Sequence, residues 1–415
     1  MEKNYTLSQL KDSVEPAKIA EQLPTLMNKF DSDFLDKGKP IANLLGYFYH
    51  YIELPSNLSM EAVTTIFEKL NTTGQSLNIF EILTAKFYGM LNLREIWQDT
   101  KNKHLLISRF TKDEKDTTLA ILILKAILLK KSIDDPKFSA LECKRKNLLE
   151  DVSPLDVKAY WDDISSSFER GLSKLSDEYG TPSLDFLPYT TMLVPFSVIV
   201  NFVENKLHVS QKGSAYRKLE SWYWSSVFSG AYDSATDTRS KTDVGQLIEW
   251  IKGGVVPSIV DKFDVKSINF DEIADGAKYK GILNLIIKNG CSDLCTGELA
   301  SMLIKNSPKN VDVHHVFPVK FLERRYGDKS EQFKKREIVL NKTIIRDETN
   351  RTYIKDDLPS VYLAGIARVN PKLEEALKNH LLPIASLRAD DFDRFLNERK
   401  DAITTKIEEL TKFVL

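Results

Sequence analysis

Apolar residues recur at three- and four-residue intervals along most of this chain, the spacing of one buried face of an α-helix. That spacing predicts helices over 117–131, 157–178, 189–206, 216–229, 243–252 and 280–289. It returns over 371–381, 390–397 and 400–413. Residues 1–40 read as polar and helical, and Leu44–Leu54, rich in Tyr and Phe, fits a strand. A helix from Ser59 carries Val63, Ile66, Phe67 and Leu70 on one face, and Asn71-Thr72-Thr73-Gly74 stops it. Another starts near Asn78, with Ile79, Ile82, Leu83 and Phe87 inward. The cluster Trp222, Tyr223, Trp224, Phe228 and Tyr232 predicts a buried helix, and Asp233–Asp243, holding Arg239 and Lys241, reads as the most loop-like stretch.

The pattern changes near residue 308. Val311, Val313 and Val316 are interspersed with polar residues before Pro318, which predicts a short strand. Residues 319–337 read as polar helix broken at Gly327, Thr343–Ile345 as a second short strand, and Leu358-Pro359-Ser360 as the opening of helical sequence. The expected fold is therefore mainly α, a multi-helical body with a small two-strand motif.

Length and composition sharpen this picture. A chain of 415 residues is long enough for two to three domains. Gly 17 and Pro 15 are few for that length, which favours helices over a turn-rich β-sandwich. A net charge of −1 excludes a globally basic nucleic-acid coat and an acidic disordered tail. Three cysteines cannot form a disulfide framework, so a reducing cytoplasm is the expected compartment. The apolar runs Leu119–Leu129 and Thr190–Val203 are interrupted and shorter than the ~20 residues of a membrane span, so both are expected in a core. Cys291 and Cys295 are spaced C-x3-C with no second Cys/His pair nearby, which argues against a zinc site.

The candidate chemistry sits in the second segment. His314 and His315 are adjacent, three residues before Pro318, and Asn341 and Asn350 flank the second strand. Adjacent side chains on a strand face opposite ways, but at a strand end both can reach one site. Phosphodiester hydrolysis needs a base to activate water and a Lewis acid to hold developing charge. Histidine has the unperturbed pKa suited to the first task, and a divalent ion performs the second. From Pro318 to Arg351 there are ten Lys/Arg against six Asp/Glu. The chain's basic excess thus lies beside these residues, where phosphate contacts would supply non-specific affinity.

The segment Val311–Phe321 (VDVHHVFPVKF), with the later Asn-x8-Asn spacing, resembles the HNH (ββα-metal) nucleases. The resemblance implies His315 as general base, Asn341 as the brace of the loop, and His314 and Asn350 as metal ligands. Asp312 would support a ligand from behind, and Lys320, Lys342, Arg346 and Arg351 would contact nucleic acid. The family usually has Asp where this chain has His314, which leaves the ion open among Mg²⁺, Mn²⁺ and Ni²⁺. Ile66–Phe87 (IFEKLNTTGQSLNIFEILTAKF) and Leu187-Pro188-Tyr189 further resemble the GmrSD-like restriction and phage-defence family. In that family an N-terminal sulfiredoxin/ParB-like nucleotide domain precedes an HNH nuclease that acts on DNA, often modified or phage DNA. The expected organisation is a remnant of the nucleotide domain over 1–90, a helical middle domain over 91–300, and the nuclease with C-terminal helices over 301–415. The family's D-G-Q-Q-R motif is absent, so the chain is expected to begin inside the first domain, as a subunit or fragment. Asn71, Gly74 and Glu81 would then lack their usual partners. The chain alone is not expected to turn over GTP or ATP, and a separate chain carrying the missing motif is a conceivable partner. The competing expectations are a non-catalytic DNA-binding or partner-binding subunit, and a nuclease acting on RNA.

Overall fold

The computed structural model describes residues 78–412. The strand expected over Leu44–Leu54, the helix from Ser59, the Asn71–Gly74 turn and most of the 1–90 unit lie outside the described residues.

The chain is mainly helical. The principal helices are α1 (Ile79–Phe87), α2 (Leu93–Lys103), α3 (Thr118–Asp134), α4 (Pro154–Glu178), α5 (Leu193–Lys206), α6 (Val209–Ser229), α7 (Thr236–Ile251) and α8 (Gly276–Lys288). Asn78 opens α1 with a capping box: its side chain accepts from the amides of Phe80 and Glu81, and Glu81 accepts from the Asn78 amide at 2.8 Å. The glutamate of the sequence signature is thus spent on a helix end.

α3 and α5 carry the two apolar runs and are buried on nearly all sides. They pack with α4 into the centre of the body. Among the described residues no helix is long and apolar enough to cross a membrane. Trp222, Tyr223 and Trp224 are buried on α6, as their clustering predicts. α6 and α8 approach closely at Gly281, where an added Cβ would sit 2.6 Å from a Val227 methyl carbon.

The Asp233–Asp243 stretch is not a loop. From Thr236 it belongs to α7. Its polarity misleads because its charged groups are held inside the fold. Asp243, 1% exposed, accepts on Oδ2 from Trp222 Nε1 at 3.0 Å and from Tyr232 Oη at 2.9 Å, and its Oδ1 forms an ion pair with Arg239 Nε at 2.9 Å. A buried carboxylate with two donors and an opposite charge is held without solvent.

Among the described residues β structure consists of β1 (Val311–His315), β2 (Lys342–Arg346) and one isolated bridge between Ser292 and Leu299. β1 and β2 are antiparallel, with His315 opposite Lys342, His314 opposite Thr343 and Asp312 opposite Ile345. α9 (Ala300–Asn306) packs on both strands. Between the strands run α10 (Val319–Tyr326), ended by Gly327 at φ +83°, and short turns over Glu331–Asn341. After β2 come α11 (Pro359–Ala367), α12 (Leu373–Asn379) and α13 (Phe392–Thr411). The two helices expected over 390–397 and 400–413 are one, because no breaker separates them and Arg399 at their junction is fully buried. Arg399 donates to the carbonyls of Leu340 at 2.7 Å and His380 at 3.3 Å, fastening α13 beneath the start of β2.

Candidate functional site

β1 presents two groups of side chains. Alternation along the strand places Asp312 and His314 on one face and His315 on the other. The two imidazoles remain close, with ring centroids 6.0 Å apart and planes at 80°.

The first group is Asp312, His314 and Asn350. His314 Nδ1 lies 3.9 Å from Asp312 Oδ2, and Asn350 Nδ2 donates to that same oxygen at 3.1 Å. Asn350 opens a π-helical turn, Asn350–Ile354, a wide turn type often found at functional sites. With its amide nitrogen turned to Asp312, its Oδ1 is left to accept elsewhere. His314 Nε2 is buried and has no hydrogen-bond partner. Burial pulls the His314 pKa down to about 4 against the opposing charge of Asp312, so the ring is neutral at pH 7. A neutral imidazole with a bare nitrogen, a carboxylate and an amide oxygen form a donor set that fits a divalent cation. Among the described residues no group of three or more His, Cys, Asp or Glu side chains is placed to hold a metal, so the amide of Asn350 would have to serve as a ligand.

The second group is His315, Glu337 and Lys342. Lys342 Nζ lies 2.7 Å from His315 Nε2 and 2.8 Å from Glu337 Oε2, and Nε2 is 3.1 Å from Oε2. Burial, then the positive charge of Lys342, holds the His315 pKa below its ordinary value, with Glu337 opposing. Burial acts to raise the Glu337 pKa, but the Lys342 bond and the charges of His315 and Lys342 outweigh it and keep the carboxyl ionised.

Asn341 lies beneath both groups and is fully buried. Its Oδ1 accepts from the Phe317 amide at 2.8 Å, and its Nδ2 donates to the carbonyls of Phe317 at 3.1 Å and Arg336 at 2.9 Å. The Val316 amide donates to the Asn341 carbonyl at 2.8 Å, and Tyr362 Oη donates to the Val316 carbonyl at 2.8 Å. The chain leaving β1 is therefore bound both to the chain entering β2 and to Tyr362 of α11.

The four cations expected to meet nucleic acid are all in ion pairs. Lys320 pairs with Asp356, Lys342 with Glu337, Arg346 with Glu298 and more distantly with Glu348, and Arg351 with Asp347. Lys320 and Arg351 are well exposed and Arg346 is a quarter exposed, whereas Lys342 is nearly buried.

Two residues near the site escape sequence reading. Glu337 stands in a short turn with no motif around it. Tyr279 on α8 has its pKa raised to about 12 by burial and by the charges of Glu337 and Asp312, so its phenol lies within electrostatic reach of both groups. Only a fold that returns α8 to the strands brings it there.

No protein-family model matches the chain. It is 28% identical over 396 residues to an uncharacterized protein of Methanocaldococcus jannaschii, an alignment covering 86% of this chain. The chain spans 63% of that relative's length.

Proposed function

We propose that this chain is a metal-dependent HNH-type endonuclease that cleaves DNA in a restriction or phage-defence role. The observation that carries the reading is the bare, buried Nε2 of His314, on a ring whose Nδ1 lies 3.9 Å from Asp312, with Asn350 bonded to that same carboxylate and His315 on the next residue. A buried polar atom without a partner is unfavourable unless something outside the chain bonds it. His314 and the Asn350 amide oxygen would hold the ion, with Asp312 orienting both. A bound divalent cation would supply Lewis-acid stabilisation of the charge on the phosphate and the departing 3′-oxygen. His315 takes the proton of the attacking water, and its depressed pKa keeps it unprotonated for that task. Asn341 keeps the strand ends in register so that the two histidines stay a fixed distance apart. Exposed Lys320 and Arg351 are suited to exchange their carboxylate partners for backbone phosphates.

The test is nicking of supercoiled plasmid by the purified chain, with and without Mn²⁺, compared with His315→Ala. Metal-dependent nicking lost in the variant supports the reading. No nicking by the parent, or equal nicking by both, removes it and favours the non-catalytic binding subunit. Matched RNA and DNA duplexes in the same assay identify the nucleic acid cut.

A further inference from the structure

His315, Glu337 and Lys342 form a closed triangle with contacts of 2.7, 2.8 and 3.1 Å. One proton arrangement suits it. An ammonium donates and never accepts, and an ionised carboxylate only accepts. Lys342 at 2.7 Å from Nε2 therefore engages the lone pair of that nitrogen. The single proton of the neutral ring is then on Nδ1. Lys342 bridges two acceptors, Nε2 and the Glu337 carboxylate, and holds them together. In this tautomer His315 cannot serve as a base, since Nε2 has its pair occupied and Nδ1 already carries hydrogen.

Removing Lys342 reverses the preference. Nε2 would face only the Glu337 carboxylate, 3.1 Å away, and the ring proton belongs on the nitrogen that faces an acceptor. Nδ1 then offers a free lone pair. A DNA backbone phosphate is a strong competing acceptor for a lysine. Lys342 sits at the start of β2, directly across from His315, where it is 8% exposed.

We propose that Glu337 is a positioning residue for His315, and that Lys342 is a clamp holding the histidine in its inactive tautomer until a substrate phosphate draws it away. The proposal rests on the nuclease reading above for its purpose, though not for its geometry. Proton balance is simple: one proton leaves Nδ1 for water, another arrives at Nε2 from water, and the ring stays neutral. In the hydrolytic step Nδ1 then accepts the proton of the attacking water. A carboxylate that fixes the tautomer of a catalytic imidazole is established chemistry for a general base. The added feature here is a lysine that blocks the pairing in the resting protein.

The experiment is nitrogen NMR of the full chain labelled with ¹⁵N-histidine, with the His315 signals assigned from their loss in His315→Gln. Spectra are taken alone and with a short DNA duplex in EDTA, so that nothing is cut. Binding is followed in the same samples by anisotropy of a labelled duplex. The expected result is Nδ1–H in the free parent and Nε2–H once the duplex is bound. Lys342→Met should show Nε2–H without DNA. In the nicking assay Glu337→Gln should lower kcat by up to roughly 10⁴-fold with KM nearly unchanged, the size of effect seen when the carboxylate that orients a base imidazole is neutralised. Glu337→Asp should recover part of that loss. A ring that keeps one tautomer with and without bound duplex, or a Lys342→Met chain that keeps Nδ1–H, overturns the clamp. A parent that switches tautomer on binding yet cuts no DNA with any ion supports the clamp and overturns the nuclease reading.

Discussion

His314 and His380 are both pulled down to about 4 by burial, yet their surroundings are opposites. His380 is fully buried, with both ring nitrogens used: Nδ1 is 2.6 Å from Thr343 Oγ1 and Nε2 is 2.6 Å from the Ser292 carbonyl. Only one tautomer suits both partners, with Nε2 donating to the carbonyl and Nδ1 accepting from the hydroxyl. His314, one strand across from that same Thr343, leaves Nε2 bare. A similar shift has thus marked a completed, fully buried core histidine and an incomplete, partly buried one. The difference lies in whether the fold supplies a partner for the second nitrogen, and a bare imidazole nitrogen on a ring that also neighbours a carboxylate suits a cation ligand.

The comparison breaks most visibly at the base next to His314. His315→Ala should lower the nicking rate by roughly 10²–10⁴-fold, the contribution of a positioned base. Binding of the same plasmid should persist. Equal rates in parent and variant would return His315 to the class of His380, a residue that only packs.

Acid should test the completed histidine next. The folded-state pKa of His380 lies below its ordinary value of 6.5, so its contribution to stability is complete above pH 6.5 and lost as pH falls toward 4. For a fully buried ring that loss is of order 3 kcal/mol once pH passes below about 4. Thermal melts between pH 7 and pH 4 should show a falling Tm whose slope is reduced in His380→Gln. An equal slope in the variant would mean that His380 is not the buried neutral group described.

Asn341→Ala leaves the Phe317 amide and the Arg336 carbonyl without partners inside the fold. Chemical denaturation should show a loss of about 1–3 kcal/mol, and nicking should fall with it. An unchanged midpoint would show that the loop holds its shape without the brace. A smaller effect is expected from His314→Asp. A hard anionic ligand in place of imidazole should move the ion preference toward Mg²⁺. An unchanged Mg²⁺/Mn²⁺ ratio of nicking rates would pass the ligand role to Asp312.

Much of this arrangement is legible from the residues. The two short strands, the break at Gly327 and the buried aromatic helix follow from alternation, turn chemistry and helical spacing. Adjacent histidines before a proline, with asparagines on either side of a second strand, mark where the polar groups gather. Three features stay hidden. Asp233–Asp243 reads as loop because a sequence cannot show that Trp222, Tyr232 and Arg239 converge on Asp243. Glu337 is one acidic residue among many until the strand register places Lys342 across from His315. His380 and Arg399 have no motif, because their partners are backbone carbonyls and a hydroxyl supplied by distant parts of the chain.

The central claim is that the unpartnered nitrogen of His314 is a cation ligand, and calorimetric titration of the full chain with Mn²⁺ at neutral pH tests it most directly. The parent should bind one equivalent, His314→Ala and Asn350→Ala should each bind much more weakly, and His380→Gln should bind as the parent does. A His314→Ala chain that takes up Mn²⁺ with the parent's affinity would contradict the account.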